Sequence, residues 1–364
     1  MTIAVGVSRR EPSSAERDGA GFLSRSPDLP RCRKIECEMG IAVVARLVAA
    51  AAALGMALAG NACAQSYPGK PVRIVVPYPP GGGNDLLARL IGQKLIEKWG
   101  QKVVVDNRPG ASGMIGADVV AKSAADGYTI LVCASPEAAL NVTLYPKLAY
   151  DPVRDFATIT QLAVSTIVLI VHPSLPTRSV QEYIALAKKR PAEISYSSVG
   201  AGSPHHISGE WMKLLAGIDI THVSYKGGGP QLVDLMGGHV QSGFVALPVV
   251  APYLNSGKVR PLAVTTVRRS PVIQTVPTLA ESGLAGFDVS QWYGMTVPAG
   301  TPGEITARLH GDVVEILRLP DIRARMIDLG AEPVGSTPAE FAEHIRSEIA
   351  KYRKIVAATK ITVN

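Results

Sequence analysis

The stretch Val75-Val76-Pro77-Tyr78-Pro79-Pro80-Gly81-Gly82-Gly83-Asn84-Asp85 is an apolar strand that runs into a proline turn and then into a glycine loop opening a helix. Prolines fix the turn dihedrals and glycines let a ligand come close to the backbone. The first turn of a helix offers unpaired N–H groups at the positive end of its dipole. The stretch therefore suits an anion held by backbone donors. It also suits a plain strand-to-helix turn with Asn84 or Asp85 as the N-cap.

Two further turns have the same chemistry. Ser197-Ser198-Val199-Gly200-Ala201-Gly202-Ser203-Pro204-His205 leaves a strand and enters a helix, and Tyr225-Lys226-Gly227-Gly228-Gly229-Pro230 does so again. Each alone is compatible with an ordinary turn. Three such loops converge only where strand ends face a common cleft, and ligands of α/β sheets do bind beyond the carboxyl ends of the strands.

Outward from the first loop, apolar runs bounded by turns alternate with amphipathic stretches. Residues 72–76, 103–106, 129–132, 167–171, 195–197, 221–223, 242–246 and 261–265 read as strands. Residues 85–99, with Leu86, Leu90 and Leu95 toward a core, read as a helix, as do 113–123, 180–189 (capped by Thr177 or Ser179), 205–215 and 229–236. This order predicts an α/β fold with mostly parallel sheets. A closing amphipathic helix over 338–356 has Thr337 as its natural N-cap and Pro338 at its first position.

The N-terminal part reads as processing signals rather than fold. Residues 1–38 are polar and lack apolar periodicity, so they are expected to be a non-native extension produced by start-codon choice. Met39 opens a segment with Arg46, the apolar run 47–58 and the small-x-small site Ala62-Cys63-Ala64. That is a secretory signal peptide over 39–64, too short for a membrane span, and it places a mature chain from about Gln65 in the periplasm. Acylation of Cys63 is the weaker alternative, because Gly60-Asn61-Ala62 lacks the usual aliphatic residue.

Of four cysteines, Cys32, Cys37 and Cys63 fall in that segment. The remaining Cys133 cannot form an internal bridge and sits in an apolar run, as a small buried residue would. The chain holds 37 basic and 30 acidic residues, of which 29 and 24 follow Ala64, a net charge of +5. The positive charges are dispersed and lack interleaved aromatics, which argues against nucleic acid and fits mild steering of anionic ligands. About three hundred mature residues favour two domains.

The segment 75–85, then Asp106-Asn107-Arg108-Pro109-Gly110-Ala111, Asp126-Gly127-Tyr128-Thr129, Tyr225-Lys226-Gly227 and Trp292-Tyr293-Gly294 together resemble the tripartite tricarboxylate transporter substrate-binding proteins, also called the Bug family. The resemblance covers nearly the whole mature chain. It implies a periplasmic-binding-protein-like fold of two α/β domains with an interdomain ligand cleft. Such a receptor closes on a small carboxylate and delivers it to membrane transporter subunits, without a cofactor and as a monomer. It also implies two crossings between domains, near 160–165 and 286–291. Domain 1 would then comprise 65–163 and 287–364, and domain 2 would comprise 164–286.

Carried over by residue, the resemblance assigns Tyr78, Pro80, Gly81, Gly82, Asn84 and Asp85 to the first ligand loop, and Ser135 to a second contact of that domain. Ser198, Gly200, Gly202, Ser203, His205, Tyr225 and Lys226 occupy the opposing loops. His205 is equally well placed to be a helix cap or a satisfied core residue, and Lys226 to be a solvated charge. Gln241 and Val245 stand where the family often has acids. The loss of a cleft carboxylate removes a partner for a ligand ammonium group, so a ligand without an amino group, such as an aliphatic or aromatic carboxylate, is expected.

Enzymatic readings find little in the chain. It has no GxSxG, HExxH or GxxxxGK[ST] motif, and Gly200-Ala201-Gly202 lacks the third glycine of a dinucleotide loop. On a helix only His206 and Glu210 share a face, too few ligands for a closed metal site. A serine-type hydrolase using Ser198 or Ser203 with His205 is the enzymatic rival, and presentation of the ligand to a periplasmic sensor is the other alternative to transport.

Overall fold

The structure is a computed structural model and describes residues 67–361. The expected extension 1–38, the signal peptide 39–64 and Cys32, Cys37 and Cys63 lie outside the described residues. Strands β1 (Val72–Val76), β2 (Val103–Asn107) and β3 (Thr129–Ala134) pair in parallel with β1 in the middle. The crossovers carry α1 (Gly83–Trp99) and α2 (Met114–Ala121). After β3 a π-helical turn (Pro136–Leu140) and α3 (Asn141–Leu144) lead to β4 (Phe156–Ser165).

One residue later, β5 (Ile167–Val171) starts a second sheet. It is followed by α4 (Val180–Lys189), β6 (Ser195–Ser198), α5 (Pro204–Ala216), β7 (Thr221–Ser224), α6 (Gly228–Met236), β8 (Ser242–Ala246), α7 (Leu247–Val250) and β9 (Arg260–Val264). The chain then returns to the first sheet with β10 (Gln291–Pro298), α8 (Gly303–Arg318), α9 (Pro320–Asp328), β11 (Glu332–Pro333) and α10 (Pro338–Thr359).

The strand orders are β11-β4-β10-β3-β1-β2 and β7-β6-β8-β5-β9. The class is α/β, as expected, but the sheets are mixed rather than mostly parallel: four neighbouring strand pairs are parallel and five antiparallel. The strands that travel between the sheets cause this. β4 and β10 run side by side in opposite directions, and β5 enters the second sheet antiparallel to both its neighbours.

Apolar runs explain the packing. Every residue of β5 is buried, as expected of a strand covered on both faces. On α1 the buried stripe is Leu87, Ala88, Ile91 and Leu95, a 3.6-residue period. Leu95 points inward as predicted, Leu90 is only partly buried, and Leu86 is exposed because it lies about 100° around the helix from Leu87.

A continuous core joins Trp292, Phe341 and Tyr352 to Tyr183 of α4 and to Tyr196 and Phe244 of the second sheet, with Trp292 edge-on to Phe341. Such buried aromatics contribute most per side chain to a core of this kind. Cys133 is fully buried, and burial pushes its thiol well above the ordinary range. Ser179, not Thr177, caps α4 by accepting from the Glu182 amide at 3.1 Å. Thr337 caps α10 in a full capping box with Glu340.

Candidate functional site

Parallel strands deliver their following loops to one edge, so the first sheet presents residues 77–83 and 135–140 together beyond β1 and β3. Pro80, Gly81, Gly82 and Gly83 are exposed there. Gly82 is the N-cap of α1 and supplies no side chain, leaving the first-turn amides without a capping group. Gly81 adopts φ +86°, which favours glycine, and its N–H donates to Asp85 Oδ2 at 2.9 Å.

Asp85 and Asn84 build this loop from beneath. Asn84 donates its amide N–H to the Val132 carbonyl at 3.0 Å, tying the helix start to β3. The buried Asp85 carboxylate accepts from Arg89 at 2.9 Å and from Asn107 at 3.0 Å, while Asn107 also donates to the Tyr78 carbonyl at 3.0 Å. Burial opposes ionisation of Asp85, yet the bonds from Arg89, Gly81 and Asn107 outweigh it and hold the carboxyl below its ordinary value. The nearest acid is thereby neutralised, and the exposed part of the loop is backbone.

Under the loop lies a residue that sequence reasoning missed. Glu137, 1% exposed, accepts from the Tyr78 hydroxyl at 2.7 Å and from the Ala134 amide at 2.6 Å. Burial pushes its carboxyl up to about 7, against the pull of those two donors. Its signal in the sequence is a lone charge in the otherwise apolar run 130–140. The Tyr293 hydroxyl sits against Gly83 so closely that a Cβ there would collide with it. Ser135 is fully buried, and its hydroxyl has no partner among the described residues.

The second sheet gathers the other predicted residues at the carboxyl ends of β6 and β7. Ser198 pairs in register with Ser224, and the Tyr225 amide continues the ladder by donating to the Ser198 carbonyl at 2.9 Å. Ser203 caps α5: its hydroxyl accepts from the His206 amide at 3.2 Å and donates to the Gly200 carbonyl at 2.7 Å. The Gly202 amide donates to His206 Nδ1 at 3.1 Å, and Ser198 Oγ bonds His222 Nε2 at 2.7 Å.

The imidazoles of His206 and His222 stack with centroids 4.0 Å apart. Burial and then the neighbouring His222 push His206 down to about 3. His205 is buried with neither ring nitrogen partnered among the described residues, and burial alone pushes it down to about 4. The Tyr225 hydroxyl donates to Asp234 at 2.8 Å, and Lys226 is exposed.

The predicted residues thus form two compact groups, one per sheet. No hydrogen bond or ion pair among the described residues links them directly. Helix α10 packs against both the turn after β3 and α5, which carries His205. Neither serine meets His205: Ser198 is bonded to His222, and Ser203 caps the helix.

Gln241 requires a correction. It lies at the amino-terminal end of β8, where its Oε1 accepts from Ser195 N and Oγ at 2.8 and 2.7 Å, and Val245 is a core residue. Gln241 therefore sits at the end of β6 opposite the loops, and the inference of a ligand without an amino group loses its footing. Among the described residues, cavities of about 240 and 320 Å³ lie around Pro152 and Phe156 and around Tyr145 and Pro146.

The family model described as the tripartite tricarboxylate transporter family receptor matches residues 87–361. Protein BugT of Bordetella pertussis is 36% identical over 303 residues, covering 83% of this chain and 93% of BugT. The structure of R. palustris Rpa4515 with adipate superposes with a TM-score of 0.74 at 40% identity, covering 81% of this chain and 99% of that one. MatC from Rhodopseudomonas palustris with bound malate gives a TM-score of 0.70 at 33% identity, covering 80% and 100%. Among the described residues, no helix is long and apolar enough to cross a membrane.

Proposed function

The chain belongs to the tripartite tricarboxylate transporter receptor family, a family of periplasmic solute-binding receptors rather than enzymes, and on that premise we propose that it captures a small carboxylate and delivers it to membrane transporter subunits. The observation that carries this reading is the exposed backbone of Gly81–Gly83 at the start of α1, whose one adjacent acid, Asp85, is already paired with Arg89. An anion meets donors there and no free negative charge. Adipate and malate in the two related structures are of the same chemical class.

Residues 65–163 with 287–364 form one lobe in this reading, and 164–286 the other. The change of sheet between Ser165 and Ile167, and the return at Gln291, support crossings near 160–165 and 286–291. Tyr78, Pro80, Gly81, Gly82 and the Asn84 amide receive the carboxylate, while the side chains of Asn84 and Asp85 hold the loop. Ser135, beside the Tyr352 hydroxyl, and His205 offer it buried polar atoms without a partner among the described residues. Ser198, Gly200, Gly202, Ser203, Tyr225 and Lys226 form the opposing wall that closes over it by hinge motion. The receptor acts as an exported monomer without cofactor, and a transporter rather than a sensor receives the closed form.

A thermal-shift screen of residues 65–364 against aliphatic, aromatic, hydroxy- and amino-carboxylates tests the reading. A ligand at about a hundredfold excess over its Kd should add about 2.7 kcal/mol of stability. Silence across the panel would remove the carboxylate assignment.

A further inference from the structure

Glu137 is a buried carboxyl without a cation. The groups that face it are the hydroxyls of Tyr78 after β1, Tyr293 on β10 and Tyr150 after α3, with the Cys133 thiol on β3. The Tyr150 hydroxyl donates to the Glu137 carbonyl at 2.8 Å. Gly113, at the start of α2, approaches so closely that a Cβ there would lie 2.9 Å from Glu137 Oε2. The one charge of α2, Asp118, is paired with Lys122 just past its end at 2.7 Å, and α10 contributes the apolar Ile345 to the small cavity beside Glu137. Among the described residues Glu137 makes no ion pair, and such groups are rarely buried without one.

The two carboxyl oxygens are not equivalent. Oε1 accepts the Ala134 amide and has no use for a proton, whereas Oε2 faces the Tyr78 hydroxyl. An ionised carboxylate only accepts, so it keeps the Tyr78 hydroxyl hydrogen for itself. A proton on Oε2 reverses that bond: Glu137 donates to Tyr78 Oη, and the Tyr78 hydrogen is free to turn toward an anion on the loop. A second negative charge arriving in the same water-poor region also favours the protonated acid.

We propose that Glu137 is a positioning residue which sets the donor direction of Tyr78, and that capture of a carboxylate takes up one solvent proton on Glu137 Oε2. The inference rests on the carboxylate-receptor reading above and deepens it. Charge balances, since the anion enters with the proton. A carboxyl near 7 in the free protein puts the linkage in the neutral range.

The test is the Kd of adipate and of malate, from about pH 6 to about pH 8.5, for the chain from residue 65 and for Glu137→Gln. The native chain should weaken by up to about tenfold per pH unit above pH 7. Glu137→Gln, whose amide accepts from Ala134 and donates to Tyr78 permanently, should bind about as tightly at pH 8.5 as the native chain does at pH 6, with a flat profile.

Calorimetry of the native chain in phosphate and in Tris provides a check that needs no variant, and should register proton uptake of up to one per ligand near pH 7.5. A flat native profile, no buffer dependence, or a Glu137→Gln profile that keeps the native slope overturns the inference alone. Absence of binding to both acids at every pH removes the inference together with the reading on which it rests.

Discussion

The glycine loop of the first sheet and the loop 197–205 of the second solve one problem with opposite chemistry. At the first, charges brace the backbone: Asp85 is fixed by Arg89 and Asn107, and Glu137 holds Tyr78 from below. At the second, neutral groups do so: Ser198 leans on His222, Gly202 on His206, and the two imidazoles stack. Under the proposed function, the difference teaches that a loop meant to receive an anion needs its own acids neutralised, by pairing or by protonation, whereas a wall meant to close afterward need only keep its shape. Their responses to crowding, acid and salt should therefore diverge.

Crowding gives the largest expected effect. A Cβ on Gly83 collides with the Tyr293 hydroxyl, whereas one on Gly82 meets only the Pro79 carbonyl at 3.7 Å. Gly83→Val should cost about 1–3 kcal/mol of stability by overpacking, and should weaken carboxylate binding more than tenfold by shifting the first-turn amides. Gly82→Ala should leave the melting temperature unchanged while weakening binding, since the protein itself leaves room for that methyl. Titration of both variants with adipate decides it. Full affinity in Gly82→Ala would mean that no ligand lies against that backbone, and the first loop would lose its receiving role.

Acid separates the loops next. Glu137 is held up to about 7 in the folded chain against an ordinary 4.5, so its contribution is intact below 4.5 and is lost as pH rises through 7. His206 is the reverse: between its ordinary 6.5 and about 3 only the unfolded chain takes the proton, so stability falls with acid in that window. Each limb has a slope of at most about 1.4 kcal/mol per pH unit. His206→Asn keeps an acceptor for the Gly202 amide but cannot titrate, and should flatten the acid limb of melting temperature against pH. Glu137→Gln should remove the opposing slope between about 4.5 and 7, so that stability rises more steeply with pH there than in the parent. Parallel profiles for both variants and the parent would erase the contrast.

The contrast also explains what the sequence made legible. The glycine loops, their helices and the strands that precede them announce themselves locally, through proline, glycine and apolar runs. β4 does not, because its Thr158 and Thr160 turn their hydroxyls to the carbonyls of Pro338 and Ser336 at 2.8 and 2.7 Å, which blurs any alternation of apolar and polar residues. The bracing roles of Glu137 and Asn107 are hidden for a related reason: their partners Tyr78 and Asp85 lie 59 and 22 residues away. Gln241 misled in the other direction, since its position in the chain suggested the cleft while its hydrogen bonds place it at the far end of β6.

Salt gives the smallest and sharpest distinction. Lys226 is exposed on the loop 225–230, whose Tyr225 is anchored to Asp234, and removing it leaves nothing buried unpaired. Lys226→Ala should therefore change stability by no more than about 0.5 kcal/mol. If the lysine only attracts the anion, the variant should bind about two- to fivefold more weakly at low salt, mostly through a slower association rate, and the deficit should vanish near 0.5 M salt as screening sets in. A loss of more than tenfold that persists in high salt would mean a desolvated, hydrogen-bonded ion pair with the ligand. The loop 225–230 would then hold charge as firmly as the first loop, and the division between a receiving loop and a closing wall would fail at its weakest point.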